Sequence, residues 1–429
     1  MRQGGASVEA AFLVPGTARI ALIGAALIVG ALVASPVHAG PLTFDQAVAR
    51  AQANAPSLRA GALGVEASVA ARKAAGSLPD PRLSLGIDSF PISGPLAFQP
   101  SRDNFTWVRV GMSQDIPNLA KRRAQRTRAD ADIALAEAAT ALDTRNVEVD
   151  AGVAWITLAF AQRRIAAFDA VHGKLERLVR TTPGAVGAGN ARPAQSLAGR
   201  QSLALLDDRR DELVAEVGRA RAALTRWTGD PDPRIQGSIP DFVIDPLRLQ
   251  ASLDSNPLLA PVEARIGQAA ADLRLAEADR KSDFGVEASY QHRDPRFGDY
   301  VSAGVTVGLP FFTRRRQGAL IAAGQAEAGK ANAEREAARR ALAANLEAGL
   351  ADHAMHHDLW IRSRATIEPL ARQRVDLETA SYGAGRASLV DVVDAHVALV
   401  DAALTTIDRE ALVTIDGARL SLTYRSATR

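Results

Sequence analysis

The sequence has no cysteine, few aromatic residues and little net charge. The absence of cysteine excludes disulfide bonds, thiolate metal sites, cysteine nucleophiles and lipidation at a cysteine. Aromatic residues make up only 5% of the 429 residues, which disfavours a thick globular core. The formal net charge of +3 is too balanced to indicate nucleic-acid binding. The chain is instead rich in alanine and 47% hydrophobic, which favours long, closely packed helices.

Long apolar runs are also absent after the N-terminal region. The apolar run Ile20–Ala34 follows Arg19, and Val37-His38-Ala39 provides a small-residue cleavage pattern. At about 15 residues the run is shorter than the roughly 20 that a transmembrane helix needs. We therefore predict a secretory signal peptide over residues 1–39, with an uncleaved membrane anchor as the alternative.

The rest of the chain is an internal duplication. Residues 108–117 are repeated at 301–310, with a glycine and a proline at matching positions. A basic triplet follows each copy at the same spacing, namely Lys121-Arg122-Arg123 and Arg314-Arg315-Arg316. We predict a first repeat over residues 40–229 and a second over 230–429.

Each half reads as helix, strand pair, long helix, turn and helix. In the first half Thr43 is a candidate helix cap and Pro56 a break. The long helices are predicted at 118–180 and 313–382, and the first would be on the order of 95 Å long. Helices of this length pack side by side as coiled coils or barrels. The turns that follow them are glycine-rich, with Gly187, Gly189, Gly383 and Gly385.

Four segments alternate apolar residues with small or polar ones, over about 82–90, 105–114, 283–291 and 300–309. Their length of about 9–10 residues is that of a tilted strand crossing a bilayer. The alternation is typical of a strand between lipid and a wet lumen, although a soluble two-hairpin sheet is the alternative. Four strands cannot close a barrel in lipid, because open edges leave backbone groups unpaired. Three copies supplying twelve strands are the natural solution, so we predict a homotrimer.

Particular motifs point to a family. Gly308-Leu-Pro-Phe311, Tyr382-Gly-Ala-Gly385 and Ser388-Leu-Val-Asp391-Val-Val-Asp394-Ala395 lie in the second half. With the duplicated plan, they resemble the TolC family of outer-membrane efflux proteins. The resemblance implies a mainly α fold with β: a long α-helical barrel in the periplasm plus a trimeric, twelve-stranded β-barrel in the outer membrane. It also implies docking to a periplasmic adaptor and an inner-membrane pump.

The segment Ser77–Pro91, together with Arg102-Asp103, resembles the branch that exports heavy-metal cations. Multidrug efflux and a type I secretion duct are the alternatives for cargo. A periplasmic adaptor is the alternative of another class, but it would have a small β-rich lipoyl-like domain and no lipid-facing strand pairs.

Asp391 and Asp394 are the candidate functional residues, because a spacing of three places both carboxylates on one helix face. The resemblance implies that such residues form acidic rings at the periplasmic tip of the tunnel. It also implies that Tyr382 helps to hold neighbouring helices closed. From the residues alone, a solvated helix face near a turn is the alternative.

A second candidate is the cluster His353, His356 and His357, whose spacing suits a metal clamp on one helical face. A hydrated helix face is the alternative. No catalytic signature appears: Gly324–Ala331 imitates a phosphate loop but has alanine where serine or threonine is needed. We expect no enzyme, no cofactor and no nucleic-acid partner.

Overall fold

The computed structural model describes residues 40–187 and 193–425, and the predicted signal peptide lies outside them. The described chain is mainly α-helical with a four-stranded sheet, and similar elements recur in the same order in both halves. Two 3₁₀ turns, Leu253–Ser255 and Pro257–Leu259, precede α6. The elements are α1 (Phe44–Asn54), α2 (Pro56–Ala74), β1 (Arg82–Asp88), β2 (Trp107–Ile116), α3 (Leu119–Gly187), α4 (Pro193–Thr228), α5 (Pro246–Ala251), α6 (Ala260–Ala278), β3 (Phe284–His292), β4 (Tyr300–Val307), α7 (Gln317–Arg362), α8 (Glu368–Gly383) and α9 (Leu389–Tyr424).

Helix α1 begins and ends where the sequence predicts. The Thr43 hydroxyl accepts a hydrogen bond from the Gln46 N–H at 3.3 Å, and the Gln46 side chain accepts one from the Thr43 N–H at 3.0 Å. This reciprocal pair satisfies two of the free donors at the helix start. Ala55 is extended because Pro56 disfavours helical geometry in the residue before it.

Helix α3 is longer than predicted. It runs for 69 residues, roughly 100 Å, and ends at Gly187 rather than near residue 180. The predicted turn after residue 180 therefore begins seven residues later, although Pro183 lies inside the helix. One proline removes one intrahelical hydrogen bond, and packing along a long helix can outweigh that loss.

The long helix of the second half is interrupted, which the sequence analysis did not predict. Helix α7 starts at Gln317, and a π-helical segment, Ser363–Ile367, separates it from α8. Pro369 follows this segment and has no N–H to donate to the carbonyl four residues earlier. The regular series of α-helical hydrogen bonds is therefore interrupted here. Arg409 of α9 contacts the start of this segment, donating to the Leu359 carbonyl oxygen at 3.1 Å and to the Ser363 hydroxyl.

The four strands form one antiparallel sheet in the order β1-β2-β3-β4. β1 starts where predicted but ends two residues earlier, and β2 lies two residues later than predicted at both ends. Strand β2 pairs with β3 from Val108↔His292 to Ile116↔Phe284, which joins the hairpins of the two halves. Strands β1 and β4 are the edges, and each has a partner in this chain on one side only.

The core is a series of small clusters along the helices rather than one thick interior. Trp155 is fully buried, and its Nε1 donates to the Leu42 carbonyl oxygen at 2.9 Å. A second cluster joins Phe168 of α3, Leu206 of α4 and Leu389 of α9. Within the described residues, none of the helices has the length and hydropathy of a membrane span.

Candidate channel-forming site

One face of the sheet is apolar and exposed. The register places Leu85 opposite Val110, Val110 opposite Tyr290 and Tyr290 opposite Val301, so an apolar row crosses all four strands. The large apolar residues of this face are 42–79% exposed: Leu83, Leu85, Ile87, Val108, Val110, Met112, Phe284, Val286, Tyr290, Val301, Val305 and Val307. A patch this extensive is rare on a water-exposed surface and suits contact with lipid.

The opposite face of the sheet is polar. Arg109 pairs with Asp88 at 3.1 Å, and Arg82 pairs with Asp115 at 2.9 Å. A Cβ added at Gly111, in the middle of this face, would lie 2.7 Å from the Ser84 hydroxyl. Small residues and paired charges therefore line this face, as a wet lumen requires.

The two loops at the end of the sheet remote from the helices are joined to each other. Arg293 donates to the carbonyl and side-chain oxygens of Asn104, both at 2.9 Å, and to the Tyr300 hydroxyl at 2.7 Å. Arg296 donates to the Ser101 carbonyl oxygen at 2.7 Å. The long loop after β1 and the short loop after β3 are therefore fixed as one unit.

A second region of interest is the turn between α8 and α9. Gly385 has φ of +72°, a conformation that favours glycine. Its N–H donates to the Tyr382 carbonyl oxygen at 2.9 Å, and the Arg386 N–H donates to the Ser381 carbonyl oxygen at 2.8 Å. This Schellman pattern closes α8, whose last residue is Gly383. Gly187 ends α3, and Gly189 lies outside the described residues.

Asp391 and Asp394 are both exposed in the first turns of α9, whereas Val392 and Val393 between them are buried. The Asp391 carboxylate accepts a hydrogen bond from the Ser388 N–H at 2.8 Å, and the Ser388 hydroxyl accepts one from the Asp391 N–H at 3.3 Å. These hydrogen bonds with Ser388 hold the pKa of Asp391 below its ordinary value. Asp391 thus also caps the helix, a role that the Ser-x-x-Asp spacing could have revealed.

Tyr382 lies on the opposite side of the same turn. Its ring packs against the cluster that contains Leu389 and Val393. Within the described part of this chain, the Tyr382 hydroxyl and the Asp394 carboxylate have no hydrogen-bonding partner. Both groups are therefore available to a neighbouring copy or to an ion, and all three candidate residues lie around one turn.

The three histidines are not brought together as a metal clamp. His356 Nδ1 lies 2.6 Å from an Asp416 carboxylate oxygen, and His357 stacks edge-on against Trp360. His353 is half-buried, and burial lowers its pKa. Among the described residues, no group of three or more His, Cys, Asp or Glu side chains is placed to hold a metal ion. The geometry gives the predicted metal clamp no support.

Comparisons with known proteins agree with this architecture. Residues 249–423 match the family model described as outer membrane efflux protein. The cobalt-zinc-cadmium resistance protein CzcC of Cupriavidus metallidurans is 24% identical over 389 residues, which cover 86% of this chain and 90% of that protein. The second half of the chain therefore matches the outer membrane efflux proteins, and most of its length is similar to a relative from a metal-resistance system.

Solved structures share the fold of this efflux protein. A membrane protein from Pseudomonas aeruginosa aligns with a TM-score of 0.76 at 17% identity, covering 89% of this chain and 90% of that one. The channel CusC aligns with a TM-score of 0.73 at 13% identity, covering 89% and 91%. The predicted TolC-like fold class is thus confirmed. The family match and the CzcC relative support the predicted outer-membrane efflux channel. The matched family and solved neighbours are efflux proteins and channels rather than enzymes or adaptors.

Proposed function

We propose that three copies of this efflux protein form the exit duct of a tripartite system that exports heavy-metal cations. The observation that carries the proposal is the sheet, which has an apolar outer face, a polar inner face and unpaired edges at β1 and β4. Open edges are not tolerated in the hydrocarbon region of a membrane. Pairing β4 of one copy with β1 of the next closes twelve strands into a barrel.

The energy for transport comes, in this proposal, from an inner-membrane pump that reaches the duct through a periplasmic adaptor. We call the tip the end of the molecule remote from the sheet, where α3 ends, α4 begins and α8 leads into α9. Residues of this tip are therefore the ones that would meet the adaptor and control passage.

Asp391 and Asp394 support a cationic cargo. Three copies would bring six carboxylates close together at the tip, and rings of carboxylates favour cations in pores. Hydrogen bonds with Ser388 hold the pKa of Asp391 below its ordinary value, which favours the charged form of this carboxylate. The name of the CzcC relative, a resistance protein for cobalt, zinc and cadmium, points to the same cargo. Tyr382, with its hydroxyl unpaired in this chain, would link adjacent copies while the tip is shut.

The test is metal resistance in a deletion strain complemented with variants. Asp394→Asn removes charge without disturbing the helix cap, and Asp391→Asn/Asp394→Asn removes both charges. Asp143→Asn, at an exposed site on α3, is the matched control. We expect deletion to sensitise cells to zinc, cobalt or cadmium, and the tip variants to restore less resistance than the control at equal abundance in the outer membrane.

Sensitivity to dyes or detergents alone would identify a drug-efflux duct and contradict the metal cargo. Loss of secretion of a protein substrate alone would favour a type I secretion duct. Full rescue by the double tip variant would contradict the role of the acidic ring while leaving the duct itself intact.

A further inference from the structure

The two basic triplets that the sequence places at equivalent positions differ in the structure. In the first, Lys121 Nζ lies 2.8 Å from Asp279 and 3.4 Å from Asp283, and Arg122 donates to the Gly76 carbonyl oxygen at 2.8 Å. In the second, Arg314-Arg315-Arg316, all three residues are exposed. None of the three side chains forms an ion pair or hydrogen bond within residues 40–187 and 193–425.

Exposed apolar side chains lie directly before the second triplet. Phe311 and Phe312 are each 78% exposed, and Leu309 is 59% exposed. The Gly308 N–H still donates to the Asp283 carbonyl oxygen at 2.8 Å, so the extended pairing with β3 continues one step past β4. Leu309 therefore follows Val305 and Val307 in the strand alternation, which continues the apolar face of the sheet towards the helices.

We define the rim patch as Leu309, Phe311, Phe312 and Arg314-Arg315-Arg316. We propose that the rim patch binds anionic phospholipid headgroups at the helical edge of the membrane-spanning sheet. The proposal depends on the membrane location of the sheet and is independent of the cargo and of the acidic tip.

The chemistry of the rim patch favours a lipid surface. Aromatic residues are enriched where hydrocarbon meets headgroups, with their rings partly in each. Arginine presents a planar fork of donors that matches phosphate oxygens. Basic residues near a membrane surface are attracted to anionic lipids. The continuity of the patch with the lipid-facing side of β4 favours lipid over a neighbouring protein chain as the occupant.

The experiment measures the thermal unfolding midpoint of the purified full-length protein in a non-ionic detergent. Phosphatidylglycerol or phosphatidylcholine is titrated into wild type, Arg314→Gln/Arg315→Gln/Arg316→Gln and a control, Arg59→Gln/Arg219→Gln/Arg248→Gln. The control arginines are exposed and their side chains have no partner in the described part of the chain.

We expect phosphatidylglycerol to stabilise wild type at lower concentration than phosphatidylcholine does. The preference is the ratio of phosphatidylcholine to phosphatidylglycerol concentrations that give the same stabilisation. This ratio should fall roughly fivefold per arginine removed, or ~100-fold for all three, and stay unchanged in the control. Phe311→Ser/Phe312→Ser should weaken the response to both lipids. Single arginine variants provide the same measurement if the triple variant does not fold.

The proposal is overturned if wild type responds equally to both lipids, or if the triple variant responds as wild type does. It is also overturned if the triple variant loses its oligomeric state in detergent without lipid, since the arginines would then join neighbouring copies.

Discussion

The two halves of the chain can be compared at the junction where a strand leads into a long helix. In the first half, Asn118 follows Pro117, is only 8% exposed and caps α3. In the second half, the equivalent residue after Pro310 is Phe311, which is 78% exposed. The basic triplet has the same spacing from the proline in both halves, yet one junction forms hydrogen bonds within its own chain and the other is exposed. The amide of Asn118 can form hydrogen bonds and the aromatic ring of Phe311 cannot, which accounts for much of this difference.

The first junction is a small polar network. Asn118 Nδ2 donates to the carbonyl oxygens of Ala278 and Lys281, each at 3.2 Å, and to Asp283 at 2.9 Å. The Asn118 side-chain oxygen accepts a hydrogen bond from the Lys121 N–H at 2.8 Å. One side chain thereby ties the start of α3 to the end of α6 and to the residue before β3. The first half thus supplies the rigid connection between the sheet and the helices.

The largest effect is expected for Asn118→Ala. The change removes a helix cap and the side-chain hydrogen bonds to the Ala278 and Lys281 carbonyl oxygens and to Asp283, so we expect a loss of about 2–3 kcal/mol. The measurement is the unfolding midpoint of the protein in detergent. Phe311→Ala at the equivalent exposed position should change it little. Equal effects at the two positions would show that the junctions do not differ as described.

A similar contrast exists between the long helices, since α3 is continuous and its counterpart contains the π-helical segment. Arg409→Gln should cost about 2 kcal/mol, because it removes charged hydrogen bonds to the Leu359 carbonyl oxygen and to Ser363. Arg219→Gln, on the exposed face of α4, is the control and should be neutral. An unchanged midpoint for Arg409→Gln would mean that the segment needs no support from α9.

The sequence predicted this fold well where one local rule decides the outcome. The cap at Thr43, the stop at Pro56 and the alternation of the strands are each encoded within a few residues. The interruption after α7 was missed because it depends on Pro369 and on Arg409, which lies 40 residues away in sequence. Equivalence of the triplets was likewise inferred from spacing alone, whereas the first triplet differs because the partners of Lys121, Asp279 and Asp283, belong to the other half of the chain.

The residues around the turn were predicted better than the histidine cluster, for the same reason. Tyr382, Asp391 and Asp394 lie in one short segment, so their meeting at one turn follows from the sequence. The histidine cluster looked equally good by spacing, but Asp416 of α9 pairs with His356. Pairing across helices of the same chain cannot be deduced from a single helical face.

A smaller effect is expected from pH at the first junction. Burial alone would raise the pKa of Asp283, but hydrogen bonds from Asn118 and the charge of Lys121 outweigh it and hold this pKa below its ordinary value. Since the unfolded value is about 3.9, the contribution of Asp283 is present above that pH and is lost as pH falls through the folded pKa. Solvent screening keeps it under about 1 kcal/mol.

The check is a pH series of unfolding midpoints for wild type, Asp283→Asn and the control Asp143→Asn. Wild type and control should lose stability in parallel below about pH 4, whereas Asp283→Asn should show a shallower decline. Parallel curves for all three proteins would remove Asp283 from the stability of the junction.

The smallest effect is expected where the two triplets are compared directly in detergent without lipid. Lys121→Gln should cost up to about 1 kcal/mol, because it breaks the ion pair with Asp279. Arg314→Gln/Arg315→Gln/Arg316→Gln should stay within about 0.5 kcal/mol of wild type, because these arginines lose no partner in the described chain. Three charges removed for less cost than one would show that the second triplet does not stabilise its own chain, as the lipid-binding proposal requires. A larger loss for the arginine variant would instead place those side chains in a contact of the folded protein, and the contrast between the two junctions would disappear.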